Sequence, residues 1–563
     1  MFTPKVPRMR IAFDQRVPMR DGITLSADIY FPSDPAQAAA RWPVLLTRTP
    51  YVKAVASAID VARYYARHEY VFIAMDVRGR GDSEGTFTPY RNEGRDGYDT
   101  IEWIAAQGWS DGNVGTLGSS YPGCIQWLTA LQRPPHLRAM VVRVPPSDPF
   151  VETPTGLPSP MHLCWLHYTS GRVNQVMEAV DWAEVYKHLP FETMDERAGR
   201  YIQRWHDDLA HAQLDEYWEP QCYQQKFEQI DVPALHISGW YDDEQIGTPL
   251  NYIGMTTRGA TPFARANQRL LMGPWGHAVN TISKLGEVDF GPQALIDLRG
   301  EELRWFDRYL KGKISSEIEQ QEAPVRLFIM GENVWRDEQE WPLARTQWTP
   351  YYLHSAGRAN SRFGDGSLAT AAPASDEAPD SYRYDPARPV PFITEPTSSQ
   401  IGGPDDYAAI ERRDDVLVYI TEPLAADLEV TGPLRVELYA ASSAPDTDFM
   451  AKLVDIWPSG FTQRIADGMV RARFRDGLDR PSLIEPGKIY RYAINCWNTA
   501  QVFRAGHRIG LEIASSAFPK YDRNLNTGAP LGQTSALAVA EQQIYHDAEH
   551  PSRVVLPLVM GDG

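Results

Sequence analysis

The stretch Asn113-Val-Gly-Thr-Leu-Gly118-Ser119-Ser120-Tyr121-Pro122-Gly123 constrains this chain more than any other. An apolar run, a glycine-bounded bend and a helix-forming segment (Cys124–Leu131) follow one another without a spacer. That order reads as a buried strand, a sharp turn and a helix start. A serine at such a turn presents its hydroxyl at the carboxyl edge of a sheet. The N–H groups that open the helix face the same space and suit an oxyanion. Gly118 fits because a side chain two residues before Ser120 would crowd the turn. The spacing departs from G-x-S-x-G, because Pro122 takes the second position after Ser120 and the glycine follows at Gly123. Proline is tolerated in the first turn of a helix. Alone, G-x-S-x-x-G is a weak signal, which an ordinary strand-to-helix turn would also give.

The surrounding chain supplies the context. Val17–Pro32 carries Arg20-Asp21-Gly22 between apolar and alternating segments, the pattern of a β-hairpin. Short apolar runs follow at Pro43–Thr47, Tyr70–Asp76, Asn113–Gly118, Leu137–Val144, Pro233–Ser238 and Arg269–Met272. Helical patterns at Ala54–Arg67, Gly94–Gln107 and Cys124–Gln132 separate several of them. Such alternation predicts a largely parallel sheet with helices on both faces. Chemistry in that architecture gathers at the carboxyl ends of strands. Tyr51, Ser120, Asp242 and His277 all fall there.

Between Pro145 and Ile230 the strand rhythm stops. Val173–His188 and Asp195–His211 read as amphipathic helices, with Trp165, Tyr168, Trp182, Tyr186 and Trp205 on or near their apolar sides. An all-helical insertion between sheet strands predicts a cap over the site, its aromatics mostly packing. Pro342–Pro391 has linker-like composition. Beyond it strand patterns dominate, at Val416–Thr421, Leu434–Ala440, Phe449–Trp457, Lys488–Trp497 and Arg508–Ser515. They predict a β-sandwich of jelly-roll type. The expected division is a catalytic α/β domain over 1–145 and 228–346, a helical cap over 146–227 and a jelly roll over 347–563.

A chain of 563 residues exceeds what one core organises, in keeping with that division. The net charge of −18 argues against nucleic acid or an anionic membrane as partner. Cys124, Cys164, Cys222 and Cys496 have neither disulfide nor zinc spacing, so no metal or other cofactor is expected. Met1–Arg10 lacks the apolar core of a signal peptide, and no apolar run is long enough to span a bilayer. The expectation is a cytoplasmic enzyme.

An activated serine needs a histidine to take its proton and a carboxylate to orient that histidine. Leu235-His-Ile-Ser-Gly-Trp-Tyr241-Asp242 ends a strand with an acid on its exit loop. Leu270-Leu-Met-Gly-Pro-Trp-Gly-His277 does the same with a histidine. The order Ser120, Asp242, His277 is that of α/β-hydrolases. Either partner taken singly reads as a loop residue, and Asp243 and Glu244 are rivals to Asp242. The coincidence of three is what favours catalysis. His206 and His211 lie five apart, wrong for one helix face and outside the HExxH pattern, and read as a solvated helix. Asp76-Val-Arg-Gly-Arg-Gly-Asp-Ser-Glu-Gly85 lacks the lysine of a phosphate loop and reads as a structural turn.

With these residues laid out, the chain resembles the cocaine-esterase-like hydrolases, relatives of the α-amino-acid ester hydrolases and X-prolyl dipeptidyl-peptidases. Arg48-Thr-Pro-Tyr51, Arg78-Gly-Arg-Gly-Asp-Ser-Glu-Gly85, Gly118-Ser-Ser-Tyr-Pro-Gly123, Gly239-Trp-Tyr-Asp242 and Gly273-Pro-Trp-Gly-His277 carry the likeness. It continues through Arg413-Asp-Asp-Val-Leu-Val-Tyr419 and Phe518-Pro-Lys-Tyr-Asp-Arg-Asn-Leu-Asn-Thr-Gly528.

The resemblance implies an α/β-hydrolase domain with a helical cap and a C-terminal jelly roll. It implies Ser120 as nucleophile, His277 as base and Asp242 as its partner. It further implies an oxyanion hole made by the Tyr121 N–H and the Tyr51 phenol, and a homodimer or homotetramer. Amino-acid ester hydrolases grip a substrate ammonium with carboxylates, two of them just after the catalytic Asp. Glu244 and Gln245 stand there, so one charge is kept and one lost. No acid precedes Trp165 at Leu163 or Cys164, where a third is expected. An exposed glutamate is the plainer reading of Glu244, and Trp165 is the candidate acyl-pocket wall. The function expected is a serine hydrolase of small esters or related amides. The alternatives are an amino-acid ester hydrolase or acyltransferase, an X-prolyl exopeptidase, and a carbohydrate-binding protein with a vestigial hydrolase domain.

Overall fold

Alternating apolar side chains organise the first sheet. In β3 (Trp42–Thr49), Val44 and Leu46 join the core on one face while Leu45 joins the other. In β4 (Val71–Asp76), Val71, Ile73 and Met75 point one way and Phe72 and Ala74 the opposite way. Strands apolar on both faces need cover on both. Helices α2 (Glu93–Ala105) and α3 (Tyr121–Leu131) cover one face, and α1 (Ala56–Arg67) and the later helix Leu298–Leu310 the other.

The computed structural model describes residues 9–32, 41–313, 322–373, 376–395 and 401–559. The ten-stranded sheet also holds β1 (Arg10–Pro18), β2 (Thr24–Phe31), β5 (Ser110–Ser119), β6 (Leu137–Arg143), β7 (Ala234–Gly239), β8 (Gln268–Gly273), β11 (Val325–Ile329) and β12 (Val334–Glu338). Its order is β1-β2-β4-β3-β5-β6-β7-β8-β11-β12. The strands from β4 to β11 run parallel, and antiparallel strands finish both edges. Among the described residues, strands β9 (Lys284–Leu285) and β10 (Val288–Asp289) pair only with each other. The parallel sheet and the Val17–Pro32 hairpin are as the sequence predicts.

The insertion after β6 holds short helices only: α4 (His162–Thr169), α5 (Trp182–Tyr186), α6 (Met194–Arg197) and α7 (Gln203–Ala210). The expected single helices over Val173–His188 and Asp195–His211 are therefore corrected. Tertiary contacts win over the apolar spacing. Gly81 N–H donates to the Arg172 carbonyl at 2.6 Å and Asn174 Nδ2 donates to the Tyr51 carbonyl at 2.8 Å, which holds 172–174 out of a helix. Trp182, Tyr186 and Trp205 are buried packing residues.

The second sheet has eleven strands around one apolar core. They are β13 (Thr346–His354), β14 (Ser367–Ala369), β15 (Asp380–Tyr384), β16 (Leu417–Ile420), β17 (Leu428–Ser442), β18 (Asp448–Ile456), β19 (Thr462–Arg471), β20 (Tyr490–Phe503), β21 (Arg508–Ala514), β22 (Ala540–Tyr545) and β23 (Arg553–Val559). All five predicted strands fall within it. The linker reading of Pro342–Pro391 is corrected, because β13, β14 and β15 lie inside that span. Among the described residues no helix is long and apolar enough to cross a membrane.

Candidate active site

Ser120 stands between β5 and α3 at φ 63° and ψ −130°. That backbone region is costly for a non-glycine residue and occurs where the surrounding structure enforces it. Two glycines make the enforcement possible. A Cβ on Gly118 would meet the Pro122 carbonyl oxygen at 2.5 Å, and one on Gly123 would meet the Arg143 carbonyl oxygen at 2.7 Å. The offset glycine thus has its own duty, letting α3 pack on the end of β6. Tyr121 is the first helical residue, whose N–H has no acceptor within the helix.

Two exit loops bring the acid and the imidazole together. Trp240 N–H donates to the Gly273 carbonyl at 2.9 Å and Tyr241 N–H to the Trp275 carbonyl at 3.0 Å, extending the β7–β8 ladder past the strands. Gly239 permits this, since a Cβ there would lie 2.0 Å from the Trp275 carbonyl oxygen. The result is a 2.7 Å contact between His277 Nδ1 and Asp242 Oδ1, while Asp242 Oδ2 accepts from Ser238 Oγ at 2.7 Å. Asp243 Oδ1 approaches the same nitrogen to 3.1 Å as an ion pair without a hydrogen bond of its own. Of the rivals for the His277 contact, Asp242 therefore holds the hydrogen bond and Glu244 none. Burial works against the imidazolium, but the charges of Asp243 and Asp242 outweigh it and hold the His277 pKa well above 6.5.

Tyr51 follows β3. Its phenol oxygen accepts from Trp165 Nε1 at 3.0 Å, which leaves its own proton free to be donated. Burial, opposed by the Trp165 and Ser120 hydrogen bonds, keeps that phenol above its ordinary pKa and so protonated. The glycine-rich turn after β4 fixes this loop. Arg80 is fully buried and donates to the Pro50 carbonyl at 2.6 Å, the Thr169 carbonyl at 2.8 Å, Asn174 Oδ1 at 2.8 Å and the Gly171 carbonyl. The turn reading of Asp76–Gly85 stands, with a clamp between the Tyr51 loop and the insertion added to it.

Ser120, Tyr121, Trp165, Asp243, Glu244 and His277 line one cavity of about 220 Å³. Trp165 stacks on Tyr121, with ring centroids 5.7 Å apart. Glu244 is not the exposed side chain expected: it is half-buried against this cavity. Gln245 is buried and turned away, donating to the Asn498 carbonyl at 2.5 Å. Glu152 is the residue that sequence reasoning missed. It lies on the loop beyond β6 and lines the same cavity, so its signal was another acid just past a strand's carboxyl end. Burial and the neighbouring charge of Asp148 push Glu152 up to about 7. Burial first, then Glu152 and Asp243, lift Glu244 well above the carboxylate range. His206 and His211 share nothing, each pairing with its own aspartate, Asp195 at 3.0 Å and Asp215 at 2.7 Å.

Residues 21–279 match the X-Pro dipeptidyl-peptidase (S15) family, and 316–555 match the X-Pro dipeptidyl-peptidase C-terminal non-catalytic domain. The chain is 36% identical to the cocaine esterase of Rhodococcus sp. (strain MB1 Bresler) across 98% of both sequences. It belongs to the cocaine-esterase-like family of serine hydrolases.

Two solved structures share the whole architecture. An aminopeptidase from a marine sediment archaeon, Thaumarchaeota archaeon, is 25% identical with a TM-score of 0.86, over 100% of this chain and 98% of its own. An α-amino acid ester hydrolase is 25% identical with a TM-score of 0.84, over 99% of this chain and 98% of its own. This member of the family is an α/β-hydrolase with a C-terminal domain mostly of β-sheet, and a serine hydrolase that cleaves carboxylic esters or related amides.

Proposed function

We propose that the enzyme works through an acyl-enzyme on Ser120. His277 takes the Ser120 proton as the oxygen attacks the ester carbonyl. The oxyanion is held by the Tyr51 O–H and the Tyr121 N–H, donors aimed at charge that develops only in the transition state. His277 passes its proton to the departing alcohol, then activates water to release the acid. Asp242 fixes the tautomer by holding Nδ1, so that Nε2 faces the serine. No metal or organic cofactor enters this scheme. It assigns catalysis to 1–145 and 228–346, cover of the site to 146–227 and a supporting jelly roll to 347–563.

The observation that carries this reading is the 2.7 Å Asp242–His277 pair opening on the cavity that Ser120 lines. A fluorophosphonate probe is expected to label the protein once, and Ser120→Ala to abolish the label. Labelling that survives the substitution rejects the assignment.

The acidic cavity favours a finer reading, an acyl group that carries an amine. Glu152 and Glu244 share one desolvated space, so one stays protonated until a cation enters and lets both ionise. Relatives named as an aminopeptidase and an amino-acid ester hydrolase point the same way. Matched esters with and without an α-amino group test it. The amine is expected to be preferred, Glu244→Gln to erase the preference, and the preference to fade below about pH 7 as Glu152 takes up its proton. Equal turnover of both esters removes the case.

A further inference from the structure

Ser120, Trp165 and His277 also line a second cavity, of about 630 Å³, on the side of β3 and α1. The two spaces differ in chemistry. Asp148, Glu152, Asp243 and Glu244 face the first, where Arg204 and Lys520 are already paired, with Asp208 at 2.8 Å and Asp467 at 2.6 Å. Val52, Ala58, Val61, Phe72, Leu117 and Met177 face the second.

Apart from His277, the charged and amide side chains of the second space are committed elsewhere. Lys53 donates to Asp82 at 2.8 Å, with Asp28 and Asp76 each 3.5 Å away. Arg143 pairs with Glu302 at 2.8 Å, and Asn174 donates to the Tyr51 carbonyl at 2.8 Å. Away from His277 and the Tyr51 hydroxyl, a charged ligand entering here would lose water and find no unspent charge or amide, whereas an apolar one would lose nothing. At the rim Val55 is 40% exposed, so the cavity reaches the surface.

We propose that this cavity receives the apolar leaving group of the ester, an alkyl or aryl alcohol, while the acyl half sits in the acidic cavity. The inference rests on Ser120 being the nucleophile. The Ser120 Oγ–carbonyl bond forms first; collapse of the tetrahedral intermediate then breaks the bond to the alcohol oxygen, and His277, which lines both cavities, gives that oxygen the proton it took from Ser120. The alcohol must depart before water takes its place beside His277, and the cavity that reaches the surface gives it a way out. The acid released later forms among carboxylates that repel it.

Two ester series test the assignment: acetates of linear alcohols from ethyl to hexyl, and ethyl esters of linear acids from acetic to hexanoic. Along the alcohol series kcat/KM is expected to rise about fourfold per methylene, and along the acid series to stay level. Val61→Trp and Met177→Trp, made separately, are each expected to cut the hexyl-to-ethyl ratio at least tenfold. The ratio cancels any general loss from altered folding. A level alcohol series, a ratio that both variants leave intact, or a rise confined to the acid series overturns the proposal. Ethyl acetate turnover that survives Ser120→Ala would instead overturn the nucleophile.

Discussion

Tyr51→Phe removes one oxygen from the site and little else. The phenylalanine ring occupies the same volume, and the clamp on the loop acts through the Pro50 and Tyr51 carbonyls, which the substitution leaves in place. Two things change. The transition state loses a donor whose proton is free because its oxygen accepts from Trp165 Nε1 at 3.0 Å. The Trp165 indole loses its acceptor. The second effect weighs equally on free enzyme and transition state, so the catalytic cost is that of one oxyanion donor, about 3 kcal/mol or 10²- to 10³-fold in kcat. Because the ground-state carbonyl makes only weak use of that donor, KM is expected to stay within about twofold. Steady-state kinetics on a short, unbranched ester read both quantities. Fluorophosphonate labelling of Ser120 confirms that the remaining site is assembled. A kcat within threefold of wild type, or a loss expressed wholly in KM, refutes the argument that Tyr51 stabilises the oxyanion.

Asp242→Asn keeps the shape of the site but reverses the tautomer that His277 must hold, so kcat is expected to fall about 10⁴-fold in the same assay. The pH profile follows from the raised His277 pKa: its base form appears only above that pKa, so the acid limb of kcat/KM is expected above 6.5. Asp243→Asn removes a charge that favours the imidazolium and is expected to move that limb to lower pH; an unmoved limb contradicts the role given to Asp243. Asn174→Ala frees the Tyr51 loop and is expected to lower kcat about tenfold in the wild type yet hardly further in Tyr51→Phe. Full additivity of the two would separate Asn174 from the oxyanion donor.

The sheet was legible because each strand from Pro43 to Met272 is a short apolar run with a bend behind it, and burial on both faces leaves little else for such a run to be. Ser120, Asp242 and His277 were legible as candidates for a related reason, since each closes one of those runs. Tyr51 was not, because a tyrosine after a strand is ordinarily packing; family likeness alone singled it out. Glu152 escaped because it lies on an irregular loop beyond β6, and its neighbourhood with Glu244 is made by folding. Strands β13–β15 hid in a segment rich in Pro, Ala and Ser. Pairing of β13 with β23 and of β15 with β22, near the other end of the chain, and of β14 with β13 and β16, is what makes them strands. In the insertion, apolar spacing across Val173–His188 promised a helix, yet Val173 and Val176 are exposed while Arg172 and Asn174 bind the clamp.

The covalent intermediate offers the sharpest test. Rapid quenching of the enzyme with an ester whose deacylation is slow, followed by intact-mass and peptide mass spectrometry, reads it directly. One added acyl group on the peptide that contains Ser120, formed at the rate of the alcohol burst and absent from Ser120→Ala, is the expected result. Full turnover with no acylated protein at any time, or an acyl group carried elsewhere and unaffected by Ser120→Ala, would contradict the account.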